Sequence, residues 1–242
     1  MTETPLPSTQ KNPGMELAGL LDDAGFLVLG AVRDVDPGTV SGGVPATGGS
    51  DARLHLTLIG STGPGLWPVF RESPEYLDNR PDPLDRYTLR VLTAIADRVS
   101  CRVLFPFEGP PYHPFQQWAL KCGGFSQSPL GVLAHRTYGP WAGFRAVFLS
   151  AEPFCKTALP LSDGPCLSCE DKPCLSACPV GAVSLTEGYR VAACRTHLAE
   201  SRDQDCWSGC LARRACPYGQ QHRHGAETAR FHMERFVWPD SL

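Results

Sequence analysis

No apolar run in this chain approaches the roughly 18 residues that a bilayer-spanning helix needs. The N-terminus, MTETPLPSTQKNPG, has neither a basic segment nor an apolar core, so no secretory signal is expected. A dominant charge is missing as well. Twenty-two Lys and Arg stand against 25 Asp and Glu, a net charge of −3 in 242 residues, which favours neither nucleic acid nor an anionic membrane as a partner. The expected location is therefore the cytoplasm, a reducing compartment where clustered cysteines bind metal more often than they pair. Cysteine is what the chain has in excess: 11 residues, eight of them crowded between Cys166 and Cys216. With 42% hydrophobic residues, the remainder can bury an ordinary core.

The eight cysteines fall into two related runs. The first reads Cys166-Leu-Ser-Cys169, Cys174 and Cys178-Pro179; the second reads Cys194, Cys206, Cys210 and Cys216-Pro217. A four-iron cluster needs four thiolates, and in two-cluster ferredoxins the cysteine preceding proline crosses to the other cluster. By that logic one 4Fe–4S cluster uses Cys166, Cys169, Cys174 and Cys216, and the other uses Cys178, Cys194, Cys206 and Cys210. Two spacings depart from the usual pattern, with four residues between Cys169 and Cys174 and five between Cys210 and Cys216. Zinc is the rival, but its sites favour paired knuckles without Cys-Pro endings. Disulfides are disfavoured by compartment. Arg190, Arg195, Arg202, Arg213 and Arg214 lie among the ligands, where they either offset cluster charge or form a solvated basic surface.

The preceding residues read as mixed α and β structure. Asn12-Pro13 marks a helix start, Leu17, Leu20, Leu21 and Ala24 follow at helical spacing, and Gly25 stops it. Phe26 to Val32 suits a buried strand, and Leu54, Leu56 and Leu58 alternate with His55 and Thr57 as in a strand. Asp36 to Ser50 is turn-rich, and GSTGPGLWPVF after Ile59 is rich in glycine and proline. Asp82-Pro83 predicts an N-cap and first helical residue, with Leu84, Val91, Leu92, Ile95 and Val99 as the buried stripe. Further strands are expected at Arg102 to Phe107, Leu130 to His135 and Phe144 to Leu149, with a helix near Pro114 to Lys121. The expected division is an α+β domain over 1–155, the cysteine domain over 156–220 and a helical tail over 221–242, whose His222, His224 and His232 read as solvated. Cys101, Cys122 and Cys155 read as small buried hydrophobes.

The segment WALKCGGFSQSPLGVLAHRTYGPWAGFRAVFL resembles the epoxyqueuosine reductases, and its HRTYGPW through Arg145 is at least as similar to the cobalamin-processing (decyanase and dealkylase) family. The resemblance implies a flavin-reductase-like α+β domain, shared with reductive dehalogenases, followed by a small bacterial two-cluster ferredoxin-like domain. It implies cobalamin as cofactor, with a flavin as the alternative, fed electrons from a donor protein or reductase through the clusters. Carried onto this chain, the cofactor-binding residues are Ser126, Gln127, Ser128, Gly131, Arg136, Tyr138, Gly139, Trp141 and Arg145. Trp141 reads equally as core, and Arg136 and Arg145 as holders of an anionic cosubstrate or corrin side chain. FPFEGPPYHPF has no aspartate where the epoxyqueuosine reductases place their general acid, leaving Glu108, Tyr112 and His113 as catalytic candidates. The glycine-lysine pair of those enzymes is also replaced, by Ser128-Pro129-Leu130-Gly131, which argues against tRNA modification. The expected function is an iron–sulfur oxidoreductase relaying electrons to a corrinoid, reducing it or reductively removing its upper ligand; the alternative is a plain electron carrier with a docking domain, and the second alternative an epoxyqueuosine-reductase-like enzyme.

Overall fold

A computed structural model describes residues 13–35, 53–154, 163–200, 202 and 205–238. Asn12, the Asp36–Ser50 segment, Cys155 and most of the link before Pro165 lie outside the described residues. Helix α1 (Pro13–Asp23) buries Leu17 and Leu21, four residues apart on one face. It ends at Gly25, whose φ of +75° suits glycine and whose place a side chain could not share, since a Cβ would lie 2.7 Å from the Leu66 Cα.

Strands β1 (Leu27–Val35) and β2 (Leu54–Ser61) pair antiparallel. Between β2 and its next partner in sequence come α2 (Gly63–Phe70), α3 (Pro74–Leu77), α4 (Pro83–Arg98), β3 (Arg102–Leu104), α5 (Phe115–Cys122) and the hairpin of β4 (Phe125–Gln127) with β5 (Leu133–His135). Strand β6 (Gly143–Ser150) then enters between β2 and β3, giving a four-stranded antiparallel sheet of order β1-β2-β6-β3.

Both faces of this sheet are covered. Ala146 and Phe148 of β6 point into a core with α1, α2 and α4, whereas Val147 and Leu149 point into a second core against α5. Alternation along the strand therefore produces a continuous apolar run instead of a polar and an apolar face. Leu56 and Leu58 join the α5 side, where Trp118 and Cys122 meet them.

The structure departs from the sequence expectations at identifiable places. The glycine- and proline-rich stretch after β2 is helical over Gly63–Phe70, because Pro64 sits in the first turn, where no amide donor is needed, and Pro68 removes only one helical bond. Leu66 and Phe70 are its buried anchors. Asp82 is not a side-chain cap: it takes a left-handed φ of +53° and makes no capping bond, so α4 starts on the proline alone.

The cysteine-rich residues form short pieces: α6 (Pro173–Ser176), α7 (Val191–Glu200) and α8 (Leu211–Arg214), with 3₁₀ turns at Pro165–Leu167 and Asp205–Ser208. Helices α6 and α8, one from each cysteine run, pack against each other. Among its described residues, strand character is confined to one bridge, Val183 with Tyr189.

The last helix, α9 (Ala226–Val237), is not the solvated tail expected from sequence. Phe231 enters the first core, while Met233, Phe236, Val237 and Trp238 pack on the cysteine region. The helix therefore straddles both parts of the chain.

Candidate functional site

The eight clustered cysteines line two separate cavities, four to each. Cys166, Cys169, Cys174 and Cys216 surround one; Cys178, Cys194, Cys206 and Cys210 surround the other. In each set one member is the cysteine before proline from the other run. The grouping also shows in the acidities. Burial first, then the neighbouring thiols Cys166 and Cys169, push the Cys174 pKa up, while Cys210 and Cys178 do the same to Cys194. No disulfide links any described cysteine.

Among the described residues, no three His, Cys, Asp or Glu side chains are gathered to hold a single metal ion. The space inside each cavity is about 20 Å³. The second cavity also carries His197, whose buried Nε2 has no hydrogen-bond partner, and Cys178 Sγ accepts a backbone N–H from Ala182 at 3.2 Å.

The first cavity is closed from the sheet side. Ser128, Pro129, Leu130, Ala134 and Pro140 form its wall. The Ser126 hydroxyl accepts the Cys166 N–H at 3.1 Å, and Gly131 lies against the Tyr189 ring, where a Cβ would come within 3.2 Å. The turn expected to approach a cofactor thus packs on the cysteine region, with Gln127 exposed beside it.

A third cavity, about 320 Å³, lies between the sheet domain, α9 and α8. Trp141, Arg145, Arg213, His224 and His232 line it, and among the described residues no Asp or Glu does. Arg145 Nε donates to the Ser61 hydroxyl at 2.8 Å, and among the described residues no carboxylate lies within ion-pair distance of it. Burial lowers the Arg145 pKa to about 10 against the opposing pull of Asp85, and lowers that of Arg213 to about 10 against Cys210. Both remain charged at neutral pH. Burial, reinforced by these arginines, takes His224 to about 2 and His232 to about 3, so both imidazoles are neutral. Their rings stack at 4.9 Å. Trp141 is 3% exposed, carries the Arg213 guanidinium 4.7 Å above its ring, and has a buried indole N–H without a partner. An acid-free cavity with two fixed positive charges favours an anionic group.

Other sequence candidates lie elsewhere. Arg136 donates to the Asp163 carbonyl, at 3.2 Å from Nε and 2.8 Å from Nη2, and Tyr138 is held between the His135 and His222 rings. Gly139, at φ +56°, crosses the Tyr218–Gly219 backbone so closely that a Cβ would lie 2.1 Å from the Tyr218 oxygen. Glu108 accepts the Phe105 N–H at 2.8 Å, His113 stacks on Trp118, and Tyr112 is exposed; none of the three borders the arginine cavity. Cys122 is buried and Cys101 half-buried, and burial pushes both thiols up to about 12.

Sequence reasoning missed Ser61 and placed His224 and His232 in solvent. One signal was present: Thr228 and His232 stand four residues apart, the spacing of one face of the last helix. A larger groove of about 750 Å³ runs over Trp67, Tyr76 and Phe231, but it is open and lined by both signs of charge, with Arg71 and Glu227 paired across it at 3.6 Å.

No family model and no curated protein matches this chain. Among solved structures it is similar to that of a C. elegans B12-trafficking protein, CblC, described as a homologue of human MMACHC, at 16% identity over 95% of this chain and 98% of that one. The TM-score is 0.45.

Proposed function

We propose that this chain holds two 4Fe–4S clusters and passes electrons through them to an acceptor at the arginine-lined cavity, a corrinoid being the acceptor that the sequence resemblance implies. The observation that carries the reading is the division of eight cysteines into two four-cysteine cavities, each completed by the other run's Cys-Pro. Bound there, the clusters supply one-electron carriers. A sulfur in the second cavity would satisfy the orphaned His197 Nε2. The ferredoxin-like and flavin-reductase-like domain assignments and the boundaries near 155 and 220 belong to the same proposal.

The chain's own residues have separable tasks. The cysteines hold iron, Arg145 and Arg213 attract an anionic group, and neutral His224 and His232 offer hydrogen bonds without adding charge. Fit to a corrinoid is partial. Small-molecule sites span about 300–1,000 Å³, and 320 Å³ is at the low end, so the cavity suits an anionic part of the acceptor or a cosubstrate and not a whole macrocycle.

The test is spectroscopic. Anaerobically purified protein is titrated with cobalamin and, separately, with a flavin mononucleotide. The reading expects a saturable shift of the corrin bands and none with the flavin. Trp141→Ala should then weaken corrinoid binding about ten-fold or more, a loss near 1.4 kcal/mol, while iron is retained. Unmoved corrin bands and no complex would leave the plain electron carrier. Retained affinity with a lowered melting temperature would assign Trp141 to the core alone.

A further inference from the structure

Five arginines lie among the cysteines, and the structure separates one from the rest. Arg190 pairs with Glu187 at 3.5 Å and donates to the Gly181 carbonyl; Arg195 donates to the Phe236 carbonyl at 2.8 Å; Arg202 pairs with Glu234 at 3.6 Å. Each of these three is also largely open to water. Among the described residues, the side chain of Arg214 makes no bond comparable to those of Arg213. Arg213 alone turns inward, where both its Nε, at 2.8 Å, and its Nη2 donate to the Pro140 carbonyl and its plane lies over Trp141.

Among the described residues no carboxylate neutralises Arg213, although a buried cation is costly without a counter-charge. Cys210, the residue at the start of α8, stands one helical turn before it and opposes the lowering of its pKa by burial. Arg213 lies on α8, three residues after Cys210 and three before Cys216. One guanidinium thus stands between a cysteine cavity and the wall of the arginine cavity.

We infer that Arg213 tunes the cluster held by Cys178, Cys194, Cys206 and Cys210, its charge favouring the reduced form, and that its bonds to the Pro140 carbonyl and its place over Trp141 hold it beside the arginine cavity. Reduction adds one electron and breaks no bond, so the cluster becomes one unit more negative. A nearby cation in a poorly solvated site stabilises that extra charge. The inference rests on the proposed clusters.

The experiment is a potentiometric titration of the anaerobic, iron-loaded protein with dithionite, following the reduced clusters by electron paramagnetic resonance. Arg213→Gln should make one cluster about ten-fold harder to reduce, ~59 mV for one electron, and leave the other nearly unchanged. Arg213→Lys keeps the charge and should hold the native potential. That second variant also decides the matter if Arg213→Gln fails to retain iron: a ten-fold loss in Arg213→Lys would show that the planar bonds matter and the charge does not, overturning the inference. Native-like potentials in Arg213→Gln would overturn it too, with the clusters themselves intact. Absence of any reduced-cluster signal from the native protein would instead remove the proposed function beneath it.

Discussion

Cys216→Ala is expected to lose about half of the iron and acid-labile sulfide, because a four-iron cluster needs four thiolate corners. Cys216 lines the cavity with Cys166, Cys169 and Cys174, and among the described residues no other His, Cys, Asp or Glu borders it to take the vacated corner. The second cavity shares none of its cysteines and should keep its cluster. Cys178→Ala should give the reciprocal result, emptying the second cavity although Cys178 belongs to the first run. Iron analysis with paramagnetic resonance of each variant distinguishes the clusters. Unchanged iron in Cys216→Ala would refute the ligand set, and loss of all iron would mean that the two sites do not assemble independently.

Phe231→Ala should be the most damaging single change outside the cysteines. Its ring is 6% exposed and meets Trp67 and Phe70 at 5.4 Å and Tyr76 at 6.0 Å between centroids. Truncating a buried phenylalanine typically costs about 3–5 kcal/mol through lost transfer energy and the cavity left behind. In a chain of this size that corresponds to roughly 6–20 °C in melting temperature. The effect should spread, because α9 also carries Met233, Phe236 and Val237 onto the cysteine region. Thermal unfolding of the variant checks this. A cost below about 1 kcal/mol, the range of surface substitutions, would mean that α9 does not dock on the first core.

What the sequence made legible was local. Leu17 and Leu21, the alternation through Leu54 to Leu58, and Pro83 with the stripe after it each carry their periodicity within one element. The two sets of cysteines expected from spacing and the Cys-Pro turns line separate cavities. The remainder depends on tertiary packing. Pro64 and Pro68 read as breakers of structure, yet buried Leu66 and Phe70 hold the helix around them. His224 and His232 carry ordinary polar side chains on a segment that looks solvated, and only the docking of Phe231 turns them inward. Arg213 was one arginine among five, since no linear pattern shows which guanidinium faces Pro140. Asp82 had the right residue type for a cap and the wrong backbone conformation, which composition does not reveal.

The most direct measurement is quantitative iron, acid-labile sulfide and zinc on protein purified under argon. Two cubes held by two sets of four thiolates require about eight iron and eight sulfide per chain. Stoichiometric zinc, or sulfide at trace level only, would contradict the account at its root.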